Sequence, residues 1–126
     1  MENADRKFAL VVEDNSEFAQ LTTLMLSRMG LETFHAQDGH AALAALSTRR
    51  PDLVLLDLNL PGMNGWQVLE QLVARYGQGT IPVIVTSAYS DGANRVIGKL
   101  QDVSQYLIKP FTVSDLMTAV ERALAS

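Results

Sequence analysis

Five short apolar runs, separated by longer segments whose apolar residues recur at helical spacing, constrain this chain more than any other feature. The runs occupy residues 8–12, 31–36, 53–56, 81–86 and 106–108. The first, third and fourth are rich in Val, Ile and Leu without alternation, as in strands buried on both faces of a parallel sheet. The second alternates, which fits a strand at an edge. Between the runs, Phe18, Leu21, Met25 and Met29 draw one face of a helix that Gly30 stops. Asp38 caps a second helix carrying Leu43 and Leu46, and Trp66, Leu69 and Val73 mark a third that ends near Gly77. A fourth helical segment is expected at about 93–100, with Gly98 inside it costing about 1 kcal/mol relative to Ala. Thr112 and Asp115 form a capping box for the last helix, whose inner face is Leu116, Ala119, Val120 and Ala123.

Strand and helix patterns that alternate five times imply βαβ units with right-handed crossovers and an α/β fold of three layers. The 126 residues fit one domain, 1–126, with its core at about 8–124. Hydrophobic residues make up 48% and charged ones 19%, a balance that buries a core. The net charge of -4 comes without a basic run, which argues against direct nucleic-acid binding. Absence of cysteine removes disulfides, thiolate metal sites and thiol nucleophiles, so a metal would be held by oxygen or His. The polar start and the lack of any apolar stretch near the roughly 18 residues of a membrane helix lead to the expectation of a cytoplasmic protein without membrane insertion.

In open parallel sheets the site lies at the carboxyl ends of the strands. Here the first run ends in Glu13-Asp14, the third in Asp57, the fourth in Ser87 and the fifth in Lys109-Pro110. Three carboxylates on one rim repel one another unless a cation neutralises them. Oxygen donors in an incomplete cage suit Mg²⁺, which keeps several waters and pairs readily with phosphate. Lys109 can pair with a phosphoryl oxygen, Ser87 offers a hydroxyl donor, and a carboxylate can itself be the nucleophile that forms an aspartyl phosphate. Taken singly, each residue has an ordinary reading: Asp14 as a helix cap, Asp57 as a loop acid, Lys109 as a surface lysine. Their joint occurrence at the ends of four predicted strands is what carries the chemistry. His35 and His40 fall off this rim and read as surface or partly packed residues.

The stretches "VVEDNSEF", "LVLLDLNLPGMNGWQVL", "IPVIVTSAY" and "YLIKPFTVSDL" resemble the receiver domain of two-component response regulators, with the spacing of single-domain chemotaxis-type receivers. The resemblance covers about 8–124. It implies a flavodoxin-like (βα)5 sandwich with a parallel five-stranded sheet of order 2-1-3-4-5. It also implies a signalling switch rather than a turnover enzyme, one that takes part in its own phosphotransfer and autodephosphorylation. Asp57 would accept a phosphoryl group from a sensor histidine kinase or phosphotransfer protein. Asp14 would ligate Mg²⁺ directly and Glu13 through water, with Asp57 and the carbonyl of Asn59 completing the protein's share. Lys109 would contact the phosphoryl group through a chain whose bond to Pro110 is cis. Ser87 and an inward-turned Tyr106 would carry the switch to the face formed by the fourth helical segment, the fifth strand and the last helix. That face would alter binding of a downstream protein, as monomer or phosphorylation-dependent dimer. Tyr89 and Asn59 sit where the family tunes loss of the phosphoryl group, and Asp102-Val103 depart from the usual Gly-Ala.

Other readings compete. A flavin mononucleotide binder of the same fold needs a neutral phosphate loop after the first strand, and Glu13-Asp14 repel phosphate. An aspartyl-phosphate phosphatase of the haloacid dehalogenase type carries Asp-x-Asp after its first strand, whereas Asp57-Leu58-Asn59 follows the third. A pseudo-receiver that only docks would not need all five site positions filled.

Overall fold

The computed structural model describes residues 6–88 and 105–125. The expected fourth helix at 93–100, with Gly98, Tyr89 and Asp102-Val103, lies outside the described residues. Five strands, β1 (Phe8–Val12), β2 (Glu32–Ala36), β3 (Leu53–Asp57), β4 (Val83–Ala88) and β5 (Gln105–Lys109), form one parallel sheet in the order β2-β1-β3-β4-β5. Four helices accompany them among the described residues: α1 (Ser16–Arg28), α2 (Gly39–Thr48), α3 (Gly65–Tyr76) and α4 (Val113–Ala125). The fold is the flavodoxin-like arrangement expected from the sequence, with β2 at an edge. No helix among the described residues is long and apolar enough to cross a membrane.

Strand alternation splits the core in two. Leu10, Val12, Val54, Leu56, Val83 and Val85 point to the side covered by α2 and α3, where Ala42, Leu46, Val68 and Leu72 meet them. Ala9, Val11, Leu53, Leu55 and Ile84 point the other way, onto Leu26 of α1 and Leu116, Ala119, Val120 and Ala123 of α4. The inner face of α4 is the one its sequence predicts, and its capping box is formed: the Asp115 N–H donates to Thr112 Oγ1 at 3.0 Å and the Thr112 N–H to Asp115 Oδ2 at 3.1 Å.

The first helix departs from expectation. Its buried positions are Ala19, Thr22 and Leu26, while Leu21 is 52% exposed and Phe18 only partly covered. Small Ala19 and Thr22 let the helix approach the sheet, and the larger apolar side chains ride on the flanks. In α3 likewise Val68 and Leu72 are the buried positions, with Trp66 and Leu69 packed beside them.

Helix ends follow the capping residues. The Ala41 N–H donates to Asp38 Oδ1 at 2.8 Å, and Asn15 and Asn64 cap α1 and α3 in the same way. Gly30, at φ +90, closes α1 with the Leu31 N–H bonded to the Leu26 carbonyl and its own N–H to that of Ser27.

Gly65 opens α3 directly against the loop that leaves β3. A methyl group on it would lie 2.6 Å from the Leu58 Cα and 2.7 Å from the Asp57 carbonyl oxygen. Backbone cannot move aside as a side-chain tip can. Gly65→Ala is therefore expected to cost about 1–3 kcal/mol by overpacking, and Leu56→Ala about 2–5 kcal/mol by leaving a cavity at a position 1% exposed. Urea denaturation of the two variants beside the parent chain measures both.

Candidate functional site: a carboxylate rim bridged by one lysine

Parallel register delivers the strand ends to one rim. Val12 pairs with Leu56, Asp57 with Thr86, and Ser87 with Ile108, so Glu13 and Asp14, Asp57, Ser87 and Lys109 leave four strands at nearly one level. One carboxylate oxygen from each of Glu13, Asp14 and Asp57 lies within 4.8 Å of the others. Glu13 and Asp57 are buried at 3% and 4% exposure, and Asp14 faces solvent.

Lys109 bridges the two buried acids, its Nζ donating to Glu13 Oε1 at 2.6 Å and to Asp57 Oδ2 at 3.1 Å. Its peptide bond to Pro110 is cis, as the resemblance implied. The ammonium also stands 4.7 Å from the ring centroid of Phe18, and that ring meets Phe111 edge to face at 5.2 Å. Phe18 thus serves the rim from the flank of α1, where hydrophobic spacing alone had assigned it to the core.

Backbone N–H groups hold the remaining oxygens. The Asn15 N–H donates to Glu13 Oε2 at 3.1 Å, and the Asn59 N–H to Asp57 Oδ1 at 2.9 Å. Asn59 therefore meets Asp57 through its own main chain, two residues on. The Leu58 N–H is tied to the Thr86 carbonyl at 3.1 Å and the Leu58 carbonyl to the Gly65 N–H at 3.1 Å, which fixes the loop behind Asp57. His35 Nε2 lies 2.6 Å from the Glu13 carbonyl oxygen, joining the edge strand to the rim.

Burial pushes the Glu13 carboxyl above its ordinary value; the bonds from Lys109 and Asn15 pull it back, and the Asp57 charge pushes it further up. Burial draws the Lys109 ammonium down, but the hydrogen bond to Glu13 and the charge of Asp57 outweigh it, so the net direction is upward. Lys109 stays cationic, and the rim carries more negative charge than one lysine cancels.

Ser87 is buried in β4, one residue past the register partner of Asp57. Tyr106 turns inward against the α2/α3 side of the core, and its hydroxyl is buried without a hydrogen-bond partner among the described residues. The sequence thus placed Glu13, Asp14, Asp57 and Lys109 in contact range correctly. It gave no sign of Phe18 or His35 as neighbours of the rim, because each reaches it across the fold.

A lysine that bridges two buried carboxylates cannot be removed freely. In the presence of a chelator, Lys109→Met is expected to lower unfolding free energy by about 1–3 kcal/mol, below the cost of breaking a fully buried pair because the side chain keeps some solvent contact. Chemical denaturation of the variant against the parent chain reads this directly.

The family model for the response regulator receiver domain matches residues 9–121. The DNA-binding response regulator MtrA of Mycobacterium tuberculosis is 39% identical over 119 residues, which make up 94% of this chain and 51% of that protein. The DNA-binding transcriptional regulator NtrC of Salmonella typhimurium is 34% identical over 95% of this chain and 25% of its own length. The chain therefore spans about half the length of MtrA and a smaller share of NtrC. Among solved structures, the receiver domain of NtrX from Brucella abortus superposes with a TM-score of 0.83 at 32% identity, covering 94% of this chain and 98% of that one. A CheY-like receiver from Methanospirillum hungatei gives a TM-score of 0.85 at 26% identity, covering 96% and 95%. With this rim geometry on the matching fold, the chain belongs to the response regulator receiver domain family.

Proposed function

We propose that residues 8–124 act as one receiver unit, a signalling switch that takes a phosphoryl group on Asp57 from a phosphohistidine of a sensor kinase or phosphotransfer protein. The observation that carries this reading is Lys109 bridging Glu13 and Asp57 with Asp14 beside them. In the transfer, an Asp57 oxygen forms the new bond to phosphorus. The phosphorus–nitrogen bond of the donor breaks, and its electron pair stays on the imidazole.

Each residue has a part in this. The Asn59 N–H and Lys109 orient the Asp57 carboxylate, and Lys109 follows the incoming charge because its ammonium already sits on the acceptor oxygen. Asp14, exposed and lacking a buried partner's constraint, together with Glu13, Asp57 and the Asn59 carbonyl, offers the oxygen donors that suit Mg²⁺. That ion, when bound, neutralises the negative charge that develops on the phosphoryl oxygens. Ser87 supplies a hydroxyl to the phosphorylated form, and the unsatisfied hydroxyl of Tyr106 gives that side chain a reason to repack when the rim gains charge. The face around the segment before β5, β5 itself and α4 then changes its affinity for a downstream protein, by monomer or phosphorylation-dependent dimer.

The reading makes the chain a switch with its own phosphotransfer and dephosphorylation and not a turnover enzyme, acting in the cytoplasm. It assigns no nucleic-acid contact to this stretch: the DNA-binding relatives are longer proteins, and the net charge here is -4.

Acetyl phosphate with Mg²⁺ is expected to add one phosphoryl group to the intact protein by mass spectrometry, with none on Asp57→Asn and none in excess chelator. An adduct of equal yield on Asp57→Asn would overturn Asp57 as the acceptor, and no adduct on the parent chain with either acetyl phosphate or a cognate kinase would favour a module that docks without phosphorylation. Separately, saturating Mg²⁺ is expected to raise the melting temperature by mass action on the folded state, and Asp14→Asn to abolish that rise.

A further inference from the structure

The exposed edge of the sheet has the features of a self-pairing surface. β2 is the last strand on its side, and its backbone parity is fixed by two bonds: the Glu32 N–H donates to the Lys7 carbonyl and the Ala36 carbonyl accepts from the Glu13 N–H. Residues 32, 34 and 36 thus turn their main-chain groups toward β1. Thr33 and His35 turn theirs outward, where the sheet has no further strand among the described residues. Edges of this kind are ordinarily blunted by lysine, proline or a bulge. This one, "ETFHA", has neither lysine nor proline.

Its one carboxylate is already neutralised. Glu32 is held by Arg49 through two bonds of 2.9 and 3.1 Å, and the Arg49 guanidinium lies 4.1 Å from the centroid of the Phe8 ring. Phe34, in the middle of the strand, is 50% exposed. Beside it runs a groove of about 480 Å³, floored by Ala41, Ala44 and Ala45 of α2.

We propose that this edge pairs antiparallel with the β2 of a second copy of the chain, about a twofold axis through Phe34. Parity makes Thr33 and His35 the hydrogen-bonded residues, and the register centred on Phe34 is the one that uses both of them on each copy. With Phe34 opposite itself, Thr33 of one copy faces His35 of the other, and each such pair exchanges both backbone bonds, using the outward groups and no others. Phe34 then occupies the close, non-hydrogen-bonded site, where the two rings meet on one face and lean over the alanine floors of α2.

Charge permits this pairing despite the acidity of the chain. Glu32 of one copy faces Ala36 of the other, and the two Glu32 residues are about 13 Å apart along the ribbon, beyond a Debye length of about 8 Å at physiological salt. A second copy suits the edge because the centred register is self-complementary and brings the exposed Phe34 of both chains together at the axis. The contact is small beside the roughly 1,200 Å² of a stable interface, so association is expected only at roughly 10 μM to 1 mM protein.

The absence of cysteine makes the register directly testable. On the axis, Phe34→Cys is placed opposite its own counterpart at a Cα separation of about 4.5 Å, within disulfide reach. Mild oxidation is expected to convert it largely to covalent dimer, whereas Leu24→Cys, on α1 and equally exposed at 50%, stays monomeric under the same conditions. In sedimentation, the parent chain is expected to shift toward dimer with rising concentration and Phe34→Lys to remain monomeric, with unchanged circular dichroism in both. A parent chain that stays monomeric at 1 mM overturns the proposal. So does a dimer that survives Phe34→Lys, or a Phe34→Cys variant that cross-links no faster than Leu24→Cys.

Discussion

Lys109 is the counter-charge on which the rim depends. Two carboxylates at 3% and 4% exposure stand at the ends of adjacent strands, and the ammonium between them offsets the repulsion of like charges buried side by side. The lysine reaches that position because β5 ends on it, and it is steadied from behind by Phe18, itself held edge to face by Phe111. One interaction thus joins β1, β3 and β5 at their carboxyl ends while Phe18 of α1 stands against the ammonium. The rest of the acidic cluster, with Asp14 outside the bridge, is arranged around a charge balance that a single lysine leaves incomplete.

The sheet makes the bridge reproducible. Its five strands run parallel with their hydrogen bonds in register, and both faces of the central strands are filled by packed aliphatics. Asp57 has almost no freedom left: its main chain is pinned through Leu58 to Thr86 and to Gly65, and each of its oxygens accepts a bond. Preorganisation of this sort is what the phosphoacceptor role proposed for Asp57 would draw on.

Much of this was legible in the residues. The βα alternation, the edge position of β2, the inner face of α4 and the gathering of Glu13, Asp14, Asp57 and Lys109 all follow from periodicity and from where the apolar runs end. The faces of α1 and α3 were misjudged by one position. In α1, hydrophobic spacing ranks Phe18 and Leu21 above Ala19 and Thr22, yet a helix lying close on a sheet buries its small residues and sends large ones to the flanks. α4 was read correctly because its small and large apolar residues share one stripe. Phe18 and His35 at the rim left no sequence signal, since a contact between residues far apart in the chain has no local spacing to betray it.

Strand alternation has a consequence for how such a chain tolerates changes of length. Because successive side chains point to opposite faces, deleting one residue between Leu53 and Asp57 would send the carboxylate to the wrong layer and expose an aliphatic in its place. The exposed turn at the other end of the sheet, around 78–80, holds no member of the rim and can lengthen at little cost. A change of length is thus absorbed at one end of the molecule and displaces chemistry at the other.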